Sequence, residues 1–321
     1  MKKIIALAMA VCMLFALCAC SSGSGDSAAA KPTALSFTTG GESGTYYAFG
    51  GVLGSFVSGK TDLDITVVSS GGSKANIEDL AAGNAQLGFS QSDVMSYAYQ
   101  GSRLFDTAIK DFSVAASLYM EQVQIVTMDP DIKTPADLKG KNVSIGAIGS
   151  GVYFNAIDVL EAYGMTESDI SPVYQSFADS AESLKDKKID AAFIVAGAPT
   201  TAVTDLSTSG QVYLVAIDDE HADKLVASSP YYSKYTITAD TYGLPADVQT
   251  VAIAAVVLVR NDVSEDAVYS FVSTIFENIP TISEQHAKGN ELSLEFASSI
   301  TDVPYHPGAQ KYFTEKGIKL G

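Results

Sequence analysis

Tryptophan is absent from the 321 residues, and cysteine, histidine and arginine are rare. The three cysteines, Cys12, Cys18 and Cys20, fall in the first twenty positions, so the remaining chain offers no disulfide and no thiolate metal site. His221, His286 and His306 are too scattered to form a ligand pair at metal-binding spacing, although carboxylate-only ion sites stay open. His221 sits in the charged stretch DDEHADK, where a solvated loop is expected, and His306 precedes a proline turn, where a structural role is expected. No Gly-x-Ser-x-Gly elbow supplies a hydrolase nucleophile, and no Walker or Gly-x-Gly-x-x-Gly loop supplies a nucleotide site. Only Arg103 and Arg260 carry guanidinium forks, so a bound anion would rely on backbone amides and hydroxyls.

Positive charge is also scarce. Without Lys2 and Lys3 the count is 18 basic residues against 37 acids, a net charge near −19, which repels a phosphate backbone and excludes nucleic acid as a partner. Beyond the first twenty residues no apolar run approaches the ~20 residues of a membrane span.

Those first residues read as a secretion leader, residues 1–20. Lys2 and Lys3 precede an apolar stretch from Ile4 to Leu17, which closes on Leu17-Cys18-Ala19-Cys20. The ending is similar to a lipobox, which makes Cys20 the expected lipidated N-terminus, followed by a flexible Ser/Gly/Ala tether over 21–33. An extracytoplasmic protein, lipid-anchored to the cell membrane, is expected.

The body has enough apolar residues, 47%, to hold a core without covalent staples, and its length suggests two domains. Short apolar runs alternate with helical patterns, which predicts an α/β fold with largely parallel sheets. Strands are expected at 34–38, 65–69, 87–90, 122–128, 143–145, 191–195, 212–216 and 251–259. Helices are expected at 46–58, 75–82, 93–99, 153–163, 179–186, 202–207 and 263–278, the last with Ser264 as N-cap. EQVQIVTM and VAIAAVVLVRND are long, apolar and far apart in sequence. They suit two antiparallel crossovers between lobes, with 34–122 and 257–321 as lobe one and 123–256 as lobe two, most of the inserted lobe lying between Gly140 and Val248.

Four segments share one design, a strand followed by a Gly/Ser-rich turn and a helix. They start at Gly40, Ser69, Gly146 and Ala196, and the polar stretch Ser90-Gln91-Ser92-Asp93 does the same without glycine. Each puts free N–H groups and a positive helix end at the carboxyl edge of a sheet, where ligands of open α/β sheets sit. One such turn needs no function, since glycine serves chain reversal; four or five in two lobes point to a shared anion site. Backbone amides, the hydroxyls of Ser43, Thr45, Ser73 and Ser150, and Tyr46 or Tyr119 are the expected donors, with Lys74 more solvated than ligating.

TTGGESGTYYAFGG, SSGGSKANIEDLAAGNAQLGFSQSDVMSYAYQG, ASLYMEQVQIV, LKGKNVSIGAIGSGV, KKIDAAFIVAGAPTTAV and PGAQKYFTEKG resemble the TAXI family of solute receptors, which serve TRAP transporters. The combination Gly-Thr-Tyr-Tyr, Gly-Ser-x-x-Asn, Gln-Ser-Asp and Gly-Ala-Pro carries the resemblance from Leu35 to the C-terminus. Ser70, Lys74 and Ala75 depart from the usual family residues. The resemblance implies a type II periplasmic-binding-protein fold: two α/β lobes, a hinge of two crossing strands, and a ligand enclosed between them. It implies ligand-binding positions at Ser43, Thr45 and Tyr46; at Ser73 and Asn76; and at Gln91, Ser92 and Asp93. Tyr119 and Glu121 fall at the crossover, and Gly149, Ser150, Gly151, Gly197, Ala198 and Pro199 on lobe two. The implied ligand is a small carboxylate such as glutamate or 2-oxoglutarate, and the implied partner is a TRAP permease. A monomer without cofactor or metal is expected. An ABC importer or a sensor kinase is the alternative partner. An enzyme on the same scaffold would use Glu121 and Asp93 as acid and base, but no matched nucleophile accompanies them.

Overall fold

The first strand, β1 (Thr33–Thr38), alternates so that Leu35 and Phe37 enter the core. It opens the computed structural model, which describes residues 33–320; the expected leader 1–20, the lipidation at Cys20 and tether positions 21–32 lie outside the described residues. From β1 the chain runs through α1 (Thr45–Ser58), β2 (Leu63–Val68), α2 (Ser73–Ala82), β3 (Leu87–Gln91) and α3 (Ser92–Gln100). β1 lies between β2 and β3 and is parallel to both, as two βαβ units require. Residues of β3 are buried throughout, because helices cover one face and the other meets the core of the same lobe.

Two long strands then tie the molecule together. β4 (Phe112–Thr127) and β10 (Val248–Arg260) pair antiparallel from Phe112↔Arg260 to Gln122↔Ala252. Toward its end β10 also pairs with β3, from Ala255↔Gln91 to Val259↔Leu87. Toward its start it pairs with β9 (Ser233–Ile237), while the far half of β4 pairs with β7 (Ala191–Ala196). Each strand therefore begins in one lobe and ends in the other. Register shifts at Ala255/Val256 and Val257/Leu258 bend β10 where it leaves its lobe-two partners.

The second lobe repeats the first lobe's logic. β5 (Asn142–Ser144) lies parallel between β6 (Ser171–Val173) and β7, with α4 (Val152–Ala162), α5 (Phe177–Lys185) and α6 (Thr201–Ser207) as its crossovers. β8 (Tyr213–Leu214) adds to β4, and α7 (Asp219–Ser228) packs on α4. The continuous sheet runs β2-β1-β3-β10-β4-β7-β5-β6. It is parallel at both flanks and antiparallel where the long strands cross, so the expectation of largely parallel sheets holds within each lobe and fails at their junction. The apolar core divides at the same place: Tyr119 and Ala255 pack with lobe one, Val123 and Ile253 with lobe two.

After β10 the chain returns to lobe one as α8 (Glu265–Phe276), α9 (Ile279–Gln285), α10 (Leu294–Ala297) and α11 (Pro307–Glu315). Ser264 caps α8 as expected, its hydroxyl accepting from Ala267 N at 3.3 Å. His306 is buried and structural: it caps α11 by accepting from Gly308 N, and its Nε2 lies 3.0 Å from Val263 O. His221 corrects the expectation of a solvated loop. It sits in the first turn of α7, its Nδ1 2.8 Å from the N-cap Asp218, and stacks on Tyr163 with ring centroids 3.6 Å apart. No helix among the described residues is long and apolar enough to cross a membrane.

Candidate functional site

The cavity between the lobes, about 80 Å³, is floored by the crossing strands and walled by helix N-termini from both sides. Since about 10–15 Å³ suffices for one water, it is sized for a small solute. Lobe one supplies Gly40, Gly41 and Gly44 with Thr45 and Tyr46, then Ser70 to Ser73 and Gln91; Glu121 comes from β4. Lobe two supplies Ala147, Ser150 to Val152, Ser176, Phe177 and the β7 residues Val195 and Ala196.

Glycines end the approaches to three of these helices. Gly44, Gly72 and Gly151 precede α1, α2 and α4, and none of the three helices has a side-chain cap. Their first two N–H groups therefore keep donor capacity, while Ala75 N, the third of α2, is taken by Gly149 O, and the helix dipoles add partial positive charge at the cavity wall. Among the described residues no lysine, arginine or histidine lines the cavity. Arg103 instead pairs with Asp158 at 2.8 Å, Arg260 with Asp262, and Lys74 with Glu78, outside it.

Tyr46 and Glu121 form the centre of the lobe-one wall. The Tyr46 ring stacks on Phe89 at 4.6 Å, which is itself stacked on Phe37, and its hydroxyl donates to Glu121 Oε2 at 2.7 Å. Burial, above all, pushes the Glu121 carboxyl up to about 8; the Tyr46 hydrogen bond and nearby Lys288 pull the other way, and Asp93 adds to the rise. Burial likewise raises the Tyr46 and Tyr119 hydroxyls well above the usual phenol range.

Two buried polar atoms at the cavity have no partner among the described residues: Gln91 Oε1 and Ser150 Oγ. The Gln91 amide nitrogen donates across the lobes to Asn155 Oδ1 at 3.0 Å, which leaves the carbonyl oxygen without a partner and packed against Gly151. A Cβ on Gly151 would lie 1.7 Å from that oxygen. Close approach rather than an unusual φ dictates glycine there, because its φ of −73° is open to any residue.

The remaining contacts across the lobes describe a closed state. Thr45 Oγ1 donates to Gly197 O at 2.7 Å, Ala75 N to Gly149 O at 3.0 Å, and Ala202 N to Ser43 O at 3.2 Å. At the side of the cleft, Asn155 Nδ2 donates to Asp93 Oδ2 and to the Tyr232 hydroxyl, which donates to Asp158. Burial pushes Asp93 up to about 7, against the hydrogen bonds from Val94 N and Asn155.

Of the sequence-predicted positions, the fold gathers Thr45, Tyr46, Ser73, Gln91, Glu121, Ser150 and Gly151 around the cavity. It puts others behind the wall. Ser43, Gly149 and Gly197 contribute backbone oxygens to the closing contacts, and Ala198 N donates to Gln122 Oε1 beside the cis bond to Pro199. Ser92 begins α3, buried, and Asp93 serves the lobe contact. Tyr119 is fully buried under Lys288, whose Nζ sits 5.5 Å from its ring centroid and 2.6 Å from Glu291.

Asn76 is a strut. Its amide donates to Thr39 O and Phe89 O, and its oxygen accepts from Thr38 and Ser70 hydroxyls, all within 2.8 Å. Asn76→Ala leaves these buried groups unpaired at about 1–3 kcal/mol each. A loss of several kcal/mol in urea unfolding is expected, and a loss under ~1 kcal/mol would refute the strut. Ser176 and Phe177 were not anticipated; the Ser-x-x-Asp cap of α5, with Ser176 accepting from Asp179 N, was the available signal. Neither Asn155 nor Lys288 carries a sequence signal. Among the described residues no three His, Cys, Asp or Glu side chains gather closely enough to hold a metal ion.

Two α/β lobes, two crossing strands and a cavity at their junction define the type II periplasmic-binding-protein fold. Residues 37–317 match the model of the NMT1-like family, and the chain belongs to that family. The structure is similar to MatC from Rhodopseudomonas palustris, solved with bound malate: 15% identity over 80% of this chain and 88% of that one, TM-score 0.55. It is also similar to a protein from Bordetella bronchiseptica RB50, with 17% identity over 81% and 77% of the two chains and TM-score 0.54. A periplasmic transporter structure matches at 16% identity over 89% and 93%, TM-score 0.53.

Proposed function

We propose that the protein is an extracytoplasmic solute receptor that closes its lobes on a small carboxylate and hands it to a membrane transporter of the TRAP type, as the resemblance to TAXI receptors implies. The observation that carries this reading is a small cavity enclosed by both lobes, with three uncapped helix N-termini at its wall and two buried polar atoms left without protein partners. Thr45, Tyr46, Ser73, Gln91, Glu121, Ser150 and Gly151 are the ligand positions. Residues 34–122 with 257–321, and 123–256, are the bodies that open and close, and Cys20 is the lipid anchor of a monomer. A ligand that touches both walls only when they are shut shifts the open–closed equilibrium by its differential affinity. MatC, on the same fold, holds malate, so the fold can enclose a small carboxylate.

A thermal-shift panel of amino acids, dicarboxylates and 2-oxoacids tests this on the ligand-stripped protein. At a hundredfold excess over the dissociation constant, a ligand of the folded state adds about 2.7 kcal/mol. A raised midpoint with one carboxylate, recovered chemically unchanged, is expected. Turnover of that compound would replace the receptor by an enzyme, and no shift with any member would remove the carboxylate.

A further inference from the structure

Arg103, one of only two arginines in the chain, follows α3 in lobe one. Its φ of 56° lies in the left-handed region, which a residue with a side chain enters at a cost. That turn carries the guanidinium to the other lobe. Nη2 meets Asp158 of α4 at 2.8 Å, and Nη1 donates to the Tyr97 hydroxyl at 3.2 Å. The guanidinium carbon lies 5.0 Å from the ring centroid of Tyr97, on its own lobe, and 5.5 Å from that of Phe154, on the other, so aromatic rings from both lobes hold the charge. Every other ion pair among the described residues stays within one lobe.

Neighbouring side chains brace this contact. The Tyr232 hydroxyl donates to Asp158 Oδ2 at 2.9 Å within lobe two. Tyr231 reaches the other way: its hydroxyl donates to Asp302 Oδ2 of lobe one at 2.6 Å, and its ring meets that of Tyr97 edge-on at 6.3 Å. None of Arg103, Asp158, Tyr231 and Asp302 lines the cavity. A solute in the cavity therefore touches none of these groups, yet their contacts exist only while the lobes are together. We propose that Arg103 and Asp158 form a latch that holds the lobes closed without a solute, so that the empty receptor already populates the state its cargo selects. The proposal goes beyond the receptor reading and rests on its two bodies opening and closing.

The pair is better placed than a surface salt bridge to do this. Its side chains are 30% and 13% exposed, so solvent and salt screen it less than a fully exposed pair, and the two rings fix the guanidinium. Parting the lobes would leave Arg103 with Tyr97 alone. Apparent affinity scales with the fraction of protein in the competent state, so the latch sets the receptor's affinity without choosing its solute.

Amide hydrogen exchange on the ligand-stripped protein tests the latch and needs no solute. Ala75 N and Ala202 N report closure, because their only acceptors among the described residues are Gly149 O and Ser43 O on the opposite lobe. Both amides are expected to be protected. Arg103→Met should speed their exchange at least about tenfold, which is about 1.4 kcal/mol, with amides of the central strands β3 and β7 unchanged. Asp158→Asn, which keeps an oxygen for Tyr232, should match it, and the double variant should add little to either. Gly151→Ala, which forces the lobes apart by contact, is the reference for opening. Exchange of both amides at unprotected rates in the original protein overturns the latch and leaves the receptor standing. Release by Gly151→Ala but not by Arg103→Met does the same, and full additivity in the double variant removes the ion pair as the latch. Protection that survives in Gly151→Ala too means that the lobes do not part, and overturns the latch and the receptor together. If β3 and β7 exchange faster along with the two reporters, Arg103 supports the fold rather than closure and the proposal fails.

Discussion

Gly151→Ala is expected to weaken capture of the best-binding solute by at least about a hundredfold while leaving the ligand-free protein folded. The added methyl would sit 1.7 Å from Gln91 Oε1 and 2.9 Å from Ser73 Oγ, both on the opposite lobe. Gln91 has little freedom to retreat, because it is 2% exposed and its amide nitrogen is held by Asn155. Relief comes by parting the lobes, which removes the state that encloses the ligand. A hundredfold loss corresponds to about 2.7 kcal/mol, a modest sum for a clash between two well-packed walls. Each lobe by itself tolerates alanine at this φ, so the variant should stay folded without ligand, its melting temperature lowered only by the cross-lobe contacts that parting gives up. Calorimetry and melting curves read the two effects separately. Wild-type affinity in a normally folded variant would mean that the lobes do not meet at Gly151 during capture.

Glu121→Gln is expected to stabilise the ligand-free protein increasingly as pH rises. Burial raises the Glu121 carboxyl from 4.5 to about 8 in the folded chain. Below pH 4.5 it is protonated in both states and costs nothing. Between 4.5 and about 8 the unfolded chain gives up the proton that the folded chain keeps, so stability falls with pH, and above about 8 the loss is constant. At about 1.4 kcal/mol per pH unit the ceiling is on the order of 5 kcal/mol, reduced by water admitted to the cavity. Glutamine keeps the acceptor for the Tyr46 hydroxyl and has no charge to lose. Half-buried His286 and buried His306, held below the usual imidazole range by burial, act in the opposite direction in both proteins and cancel in the comparison. The variant's advantage in melting temperature should therefore be near zero at pH 4 and several degrees at pH 8 to 9. A difference that stays flat across that range would show that Glu121 ionises freely in the folded protein.

Much of lobe one could be read along the chain. β1 and α1 were expected within one residue at each end, and Ser264 was recognised as a cap, because apolar alternation, Gly/Ser turns and the cap signature are local. The first half of β4 was missed: Ser113 and Ser117 interrupt its apolar run and are buried only because β10 and the C-terminal helices cover them. β6 and β9 escaped for a related reason, being short or half-exposed strands defined by their partners. α7 hides in a charged stretch since it buries only Ala222 and Leu225, one turn apart.

The cavity shows the same division. Glycine, serine and threonine after strands announce helix N-termini that can meet an anion, and residue chemistry alone identified Thr45, Tyr46, Ser73 and Ser150 as candidates. A pattern in one strand cannot tell which of two neighbouring polar side chains turns inward, and so Gln91 and Glu121 looked no different from Asn76 and Asp93. Packing separates them. Asn76 finds four partners within its own lobe, whereas Gln91 keeps an oxygen without one because Asn155 arrives from the other lobe to take only its amide. Local backbone preference and apolar periodicity act over a few residues, enough for strands, turns and the class of fold. Glu121 and Asn155 stand 30 and 64 residues from Gln91 in the chain; the β3-β10-β4 order of the sheet sets Glu121 near it within lobe one, and only the closing of the second lobe brings Asn155.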